Sequence, residues 1–351
     1  MNLDFRCLPT GSLPYEDSRL VKQMMMRLYE NVPFLPELPN TSLDENYVSR
    51  TLKNIPFVKN NNTDIILKYS PDLIDSKIDD LNEAYNSVNI KHLKKYHSNA
   101  HFMKEYLEIL EETKPKYTVI RLLGVFSFAL LIKNIPIEEL LIDRGYRKFL
   151  TQSIAVKALW FIKEIKKVSE NTTPIILFEE PLLNNFSTLK RNFEDINKDT
   201  VVSLLSKIFE KLHENGAKVG VQCFNKCNWQ LAIDSNADLI SFNAYDNPSN
   251  LYVICDKVRE FLRRGGYINW AMVPTTSENS IKNLTIDKIH QLYTQAIGEL
   301  SAKNIGMDLL FRKSLISVNG EMADLSILFA EKAMILTSQV AKKLPLANFE
   351  R

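Results

Sequence analysis

Short apolar, β-branched runs alternate along this chain with longer segments whose apolar residues recur at helical period, the pattern of parallel strands joined by crossover helices. Eight strand candidates follow: residues 6–10, one within 55–69, then 117–122, 174–179, 217–223, 239–242, 267–273 and 308–314. Within 55–69, Pro56-Phe57-Val58 and Asp64-Ile65-Ile66-Leu67 both qualify, and they could pair as a hairpin across Asn60-Asn61-Asn62. Helices are expected over 17–31, 72–88, 101–112, 145–170, 198–215, 250–265, 285–303 and 322–344. Asn215-Gly216 and Gly265-Gly266 offer left-handed helix stops directly ahead of strands. Eight such units, with no repeat or low-complexity linker between them, predict a single α/β domain over residues 1–351, a closed (β/α)8 TIM barrel. Polar residues at the C-terminal strand ends are the functional candidates, because that face carries the site in such barrels.

Composition narrows the classes. With 351 residues, 45% of them hydrophobic, the chain can bury a sizeable core. A formal charge of +2, with basic and acidic residues interleaved, offers neither a nucleic-acid stripe nor a polybasic membrane patch. The opening Met1-Asn2-Leu3-Asp4-Phe5-Arg6 lacks the layout of a signal peptide, and no apolar run reaches the roughly 18 residues that span a bilayer. The longest run, residues 122–132, is bounded by Arg121 and Lys133. A cytoplasmic location is therefore expected, without nucleic-acid or membrane partners. Four dispersed cysteines, Cys7, Cys223, Cys227 and Cys255, agree with free thiols in a reducing compartment.

Four stretches carry a resemblance to a known family. They are Thr10-Gly11-Ser12-Leu13-Pro14 with Val32-Pro33-Phe34-Leu35-Pro36-Glu37-Leu38-Pro39; Gly124-Val125-Phe126-Ser127; Ile175-Ile176-Leu177-Phe178-Glu179-Glu180-Pro181; and Val219 through Tyr245 to Asn269-Trp270-Ala271-Met272-Val273-Pro274-Thr275. In this order they resemble the catalytic half of cobalamin-independent methionine synthase and its short single-domain relatives, in the uroporphyrinogen decarboxylase-like barrel superfamily. The resemblance implies a (β/α)8 barrel and methyl transfer to a thiol activated by zinc. It also implies a ligand set of His-x-Cys, an acidic residue and a late Cys. Here those places read Gln222, Phe224 and Asn243, and the late segment Ser314-Leu315-Ile316-Ser317-Val318-Asn319-Gly320 has no thiol. Zinc, which deprotonates a coordinated thiol, is not expected at such neutral side chains, and no other resident cofactor is expected. The methyl donor implied is a folate or, as in some short relatives, a methylated corrinoid protein as partner.

By the same resemblance Glu179 stands where the family holds a substrate amino group, and Gly11-Ser12 where it holds a carboxylate. Read from the residues alone, either carboxylate of Glu179-Glu180 could instead brace the following loop, and Gly11-Ser12 could be an ordinary turn. Adjacent residues on a strand point to opposite sides, so Glu179 and Glu180 cannot both enter one pocket. Gln222, Asn228 and Asn243 bring amides suited to a polar ligand. Tyr245 and Trp270 are candidate walls or plain packing residues. Cys223 and Cys227, a C-x3-C pair, are a relocated metal site in one reading and buried apolar residues in the other. His97, His101 and Glu105 recur every four residues and share a face if that segment is helical. No catalytic residue is assigned. The expectation is a methyltransferase relative that binds a small polar or amino-acid-like molecule, with a non-catalytic binding or regulatory protein as the alternative. Porphyrin-like decarboxylation is disfavoured, since no arginine cluster marks the strand ends.

Overall fold

A computed structural model describes residues 3, 5–61 and 64–344. Among these residues nine strands run β1 (Phe34–Leu35), β2 (Val58–Asn60), β3 (Ile65–Leu67), β4 (Tyr117–Leu123), β5 (Thr173–Glu179), β6 (Lys218–Cys223), β7 (Leu239–Asn243), β8 (Tyr267–Val273) and β9 (Ser314–Val318). Seven of them form one curled parallel sheet in the order β1-β4-β5-β6-β7-β8-β9. Its central strands are buried along almost their whole length, which is why Tyr117–Leu123 and Thr173–Glu179 read as continuous apolar runs rather than alternating ones. Both edges of the sheet meet the N-terminal segment. Cys7 bridges Ile316 of β9, and Ser12 bridges Glu37 just beyond β1, both in parallel sense. Hydrogen bonds from Leu8 N to Ile316 O (2.9 Å) and from Leu13 N to Glu37 O (2.9 Å) hold the two bridges.

Helices supply the crossovers. The longest, Arg144–Val168, starts at Asp143, whose carboxylate accepts from Gly145 N and Tyr146 N. It packs against β4 and β5 and against the helix Lys198–Glu214. Midway along it Lys157 is fully buried, and its ammonium reaches Lys53 O (2.6 Å) and His97 O (3.1 Å) at the ends of two short helical turns. Gly216 and Gly265 take positive φ at the helix ends where the dipeptides predicted a stop.

Five expectations are corrected. Of the strand expected over 6–10 only the isolated bridge at Cys7 forms, so among the described residues the sheet has seven strands rather than the eight of a closed barrel. The pairing anticipated within 55–69 forms, as antiparallel β2 and β3, but it makes a separate hairpin, and the sheet position is filled by Phe34–Leu35. Proline at 33 and 36 disguised that two-residue strand as loop. Of the hairpin turn, Asn62 lies outside the described residues. Residues 308–312 belong to the helix Met307–Arg312, so the last strand begins only at Ser314. Its amphipathic half-turn, Leu309-Leu310-Phe311, imitates a short apolar strand. Residues 250–254 lie in a 3₁₀ stretch, Pro248–Ile254, ahead of the helix Cys255–Arg263. His97, His101 and Glu105 share no helix: His97 ends the 3₁₀ turn Lys94–Tyr96, and the helix carrying Glu105 starts at Met103. The apolar run 122–132 is the end of β4 followed by the helix Val125–Leu131. Among the described residues no helix is long and apolar enough to cross a membrane.

Candidate functional site

Strand register assembles a polar row across the sheet. Glu179 pairs with Gln222, Gln222 with Ser241, and Ser241 with Asn269. Residues in one row of a parallel sheet face the same side, so their side chains meet. Gln222 Nε2 donates to Glu179 Oε1 (2.5 Å), Ser241 Oγ to Gln222 Oε1 (3.0 Å), and Asn269 Nδ2 to Ser241 Oγ (2.8 Å) and Ser317 Oγ (2.7 Å). Thr10 Oγ1 lies 3.5 Å from Gln222 Nε2. All of these residues are buried. Asn269 Oδ1 is buried too, and among the described residues no hydrogen-bond partner meets it.

At the Glu179 end the row joins a charge cluster built around Arg121 of β4. The guanidinium donates to Glu37 through Nε (3.1 Å) and Nη2 (2.5 Å), to Glu179 Oε1 through Nη1 (3.1 Å), and to Glu321 through Nη1 (2.6 Å) and Nη2 (3.0 Å). Glu37 is also paired with Arg50 (2.7 Å), whose other bonds go to Leu35 O and Pro36 O. Tyr47 covers the guanidinium, its ring centre 4.9 Å from Arg121 Cζ. Glu321 closes the cluster by accepting from Ser12 N (2.6 Å). Gly11 permits this approach with a φ of +102°, a conformation L side chains avoid.

Three carboxylates face two guanidinium groups, so the cluster carries one excess negative charge when every group is ionised. Burial pushes the Glu179 carboxyl up to about 7; Arg121 opposes the shift, and Glu321 and Glu37 add to it. Desolvation works against the Glu321 charge as well, but Arg121, followed by the Ser12 side chain and N–H, outweighs it and holds that carboxyl well below the usual range. Among the described residues both hydrogen bonds to the Glu179 carboxylate arrive at Oε1. A buried carboxyl that titrates near neutrality beside a fixed cation can take up or release a proton, or receive an ammonium.

Glu180 points the other way. Its oxygens accept from Phe126 N (3.0 Å) and Ser127 N (2.7 Å), capping the helix Val125–Leu131, and burial pushes its carboxyl up to about 7. Gly124 is required there, since a Cβ would lie 2.2 Å from the Glu180 carboxyl.

Of the sequence candidates, Gly11, Ser12, Glu179 and Gln222 converge on one cluster. Asn243 sits apart at the rim, tied to Asp246 (2.7 Å) and Asn319 (3.3 Å). Asn228 precedes the helix Trp229–Asp234, and Tyr245 is half-buried beyond β7. Trp270 lies on the opposite face of β8 from Asn269, fully buried, with Nε1 on Ser314 Oγ (2.9 Å) and its ring against Phe242 and Tyr293. Cys223 is buried next to Cys227, whose thiol is pushed well up, first by burial and then by Cys223. Among the described residues no three His, Cys, Asp or Glu side chains are grouped to hold a metal ion. Gln222, with its amide engaged at both ends, and Asn243, bound at the rim, do not fit a zinc cage with Phe224. Arg121, Glu37, Glu321, Tyr47, Ser241 and Asn269 were not singled out from sequence. For Arg121, Ser241 and Asn269 the signal was a polar residue at the inward parity of an apolar strand, as in Ile120-Arg121-Leu122 or Ile268-Asn269-Trp270; Glu37, Glu321 and Tyr47 lie outside the strands and carried none.

Comparison with known proteins finds no matching family model and no matching curated protein. A solved structure, a GH5-4 broad specificity endoglucanase from Bacteroides salanitronis, is similar over 96% of this chain and 98% of its own, at 8% identity and a TM-score of 0.43. A likeness that loose does not bear on the site.

Proposed function

We propose that the chain is a methionine synthase-like (β/α)8 barrel that binds a small amino-acid-like ligand at the C-terminal end of its sheet. The N-terminal segment, bridged to both sheet edges, takes the place of the eighth strand in this reading. Its main support is the convergence of Gly11-Ser12, Glu179 and Gln222, far apart in sequence, on one buried hydrogen-bonded cluster. Glu179, with a spare oxygen and the excess negative charge around it, receives the ligand ammonium. Arg121 and the Ser12 N–H are donors of the kind a carboxylate needs.

The amide network at Gln222 favours binding without the family's zinc-thiolate chemistry, that is, a ligand-binding or regulatory relative of the methyltransferases. The test is thermal unfolding with L-homocysteine, L-methionine, folates and a methylated corrinoid, together with the metal content of the purified protein. A ligand at one hundred times its dissociation constant adds about 2.7 kcal/mol. Stabilisation by an amino acid in metal-free protein is expected. Stoichiometric zinc with turnover of a methyl donor would restore the enzyme reading, and no response to either amino acid would remove the proposal.

A further inference from the structure

We infer that Glu321 is an internal occupant of a carboxylate subsite, and that the carboxylate of a small ligand takes its place. The subsite is the Arg121 guanidinium together with the Ser12 N–H. Glu321 straddles the guanidinium with both oxygens, at 2.6 and 3.0 Å, and accepts from Ser12 N at 2.6 Å with one of them. A planar fork plus one backbone donor is the arrangement that recognises a free carboxylate.

The three carboxylates on Arg121 are not equivalent. Glu37 and Glu179 side chains are 2% and 8% exposed, whereas Glu321 is 47% exposed. Glu37 keeps Arg50 as a second partner, and Glu179 keeps Gln222. Among the described residues Glu321 is held by Arg121 and Ser12 alone, the two residues of the subsite. Its backbone neighbours are fastened independently: Met322 N donates to Ser12 O (3.2 Å), and Asn319 N to Val273 O (2.9 Å). Exchange therefore needs only rotation of a solvent-reaching side chain, with the loop left in place. A displaced Glu321 regains hydration while the incoming carboxylate keeps the cluster's charge unchanged, so the exchange is balanced electrostatically. Glu321 in this way lowers the apparent affinity of the site and sets a minimum for the ligand: one carboxylate, small enough to reach Arg121 beside Tyr47.

This inference rests on the cluster being a ligand site, and the test separates the two. Glu321→Ala empties the subsite, and Glu321→Gln keeps its shape with a weaker neutral occupant. Thermal unfolding in sodium acetate is compared with sodium chloride at equal ionic strength, and L-methionine is titrated calorimetrically. Acetate is expected to raise the midpoint of the Ala variant and not that of the wild type. L-Methionine is expected to bind the Ala variant at least tenfold more tightly than wild type, with the Gln variant between them. If the Ala variant does not fold, the Gln variant carries the same comparison. An acetate response equal in wild type and variants, or missing from all, overturns the inference. Acetate binding without L-methionine binding upholds the subsite and removes the amino-acid reading. L-Methionine binding of equal strength in all three proteins does the reverse.

Discussion

Replacing Arg121 with methionine removes a single cation from among three carboxylates, and the structure sets the size of the effect. Five hydrogen bonds from the guanidinium are lost. Glu37 retains Arg50, Glu179 retains Gln222, and Glu321 retains Ser12 N, so none is wholly stripped of partners. Glu37 and Glu179 nonetheless remain buried with one fewer positive charge to balance them. Breaking a buried ion pair from one side costs about 3–5 kcal/mol, a large share of a typical stability of about 5–15 kcal/mol. Because the penalty comes from uncompensated carboxylates, protonation relieves it. Urea denaturation of wild type and Arg121→Met at pH 7.5 and pH 5 is the assay. The expected loss is about 3–5 kcal/mol at pH 7.5 and clearly less at pH 5. A loss under about 1 kcal/mol at pH 7.5, or one that grows on acidification, refutes the electrostatic account of the cluster.

Gly124→Ala drives a Cβ into the Glu180 carboxyl and disturbs its cap on Phe126 and Ser127. Overpacking of this kind costs about 1–3 kcal/mol, and unchanged urea denaturation would contradict the close approach. Glu179 and Glu180 have folded values near 7, against about 4.3 unfolded, so the native state binds more protons between those values. The stability they contribute is complete below about pH 4.3 and is lost as pH rises through 7, and Glu179→Gln should flatten part of that fall in a pH series of denaturation midpoints. Lys157 has the opposite sign: burial, then Lys53, lower it to about 7. With an unfolded value of about 10.4, stability rises with pH across that window, and Lys157→Met should abolish the rise.

The major strands and crossover helices were legible because burial on both faces leaves continuous apolar runs and because caps such as Asp143, Asn197 and Thr285 mark helix starts. Phe34–Leu35 was hidden by its two prolines, and Ser314–Val318 by the amphipathic turn ahead of it. Half of the cluster was legible as well. Glu179 and Gln222 stand at strand ends, where a barrel places function, and Gly11-Ser12 at the isolated bridge to Glu37. Arg121 stands in the middle of an apolar strand, and Glu37 and Glu321 in loops. Only strand register and side-chain geometry bring these onto one guanidinium, and a sequence read without pairing partners contains neither. Trp270 shows the converse limit: one position from Asn269, it belongs to the helix-facing layer.

Calorimetric titration of L-homocysteine into wild type and Glu179→Gln, under reducing conditions after chelation, tests the central claim most directly. The account predicts one site per chain in the wild type and at least a tenfold loss of affinity in the variant, since the amide gives up the charge that receives the ammonium. Absence of binding to the wild type, or equal binding to both proteins, would contradict it.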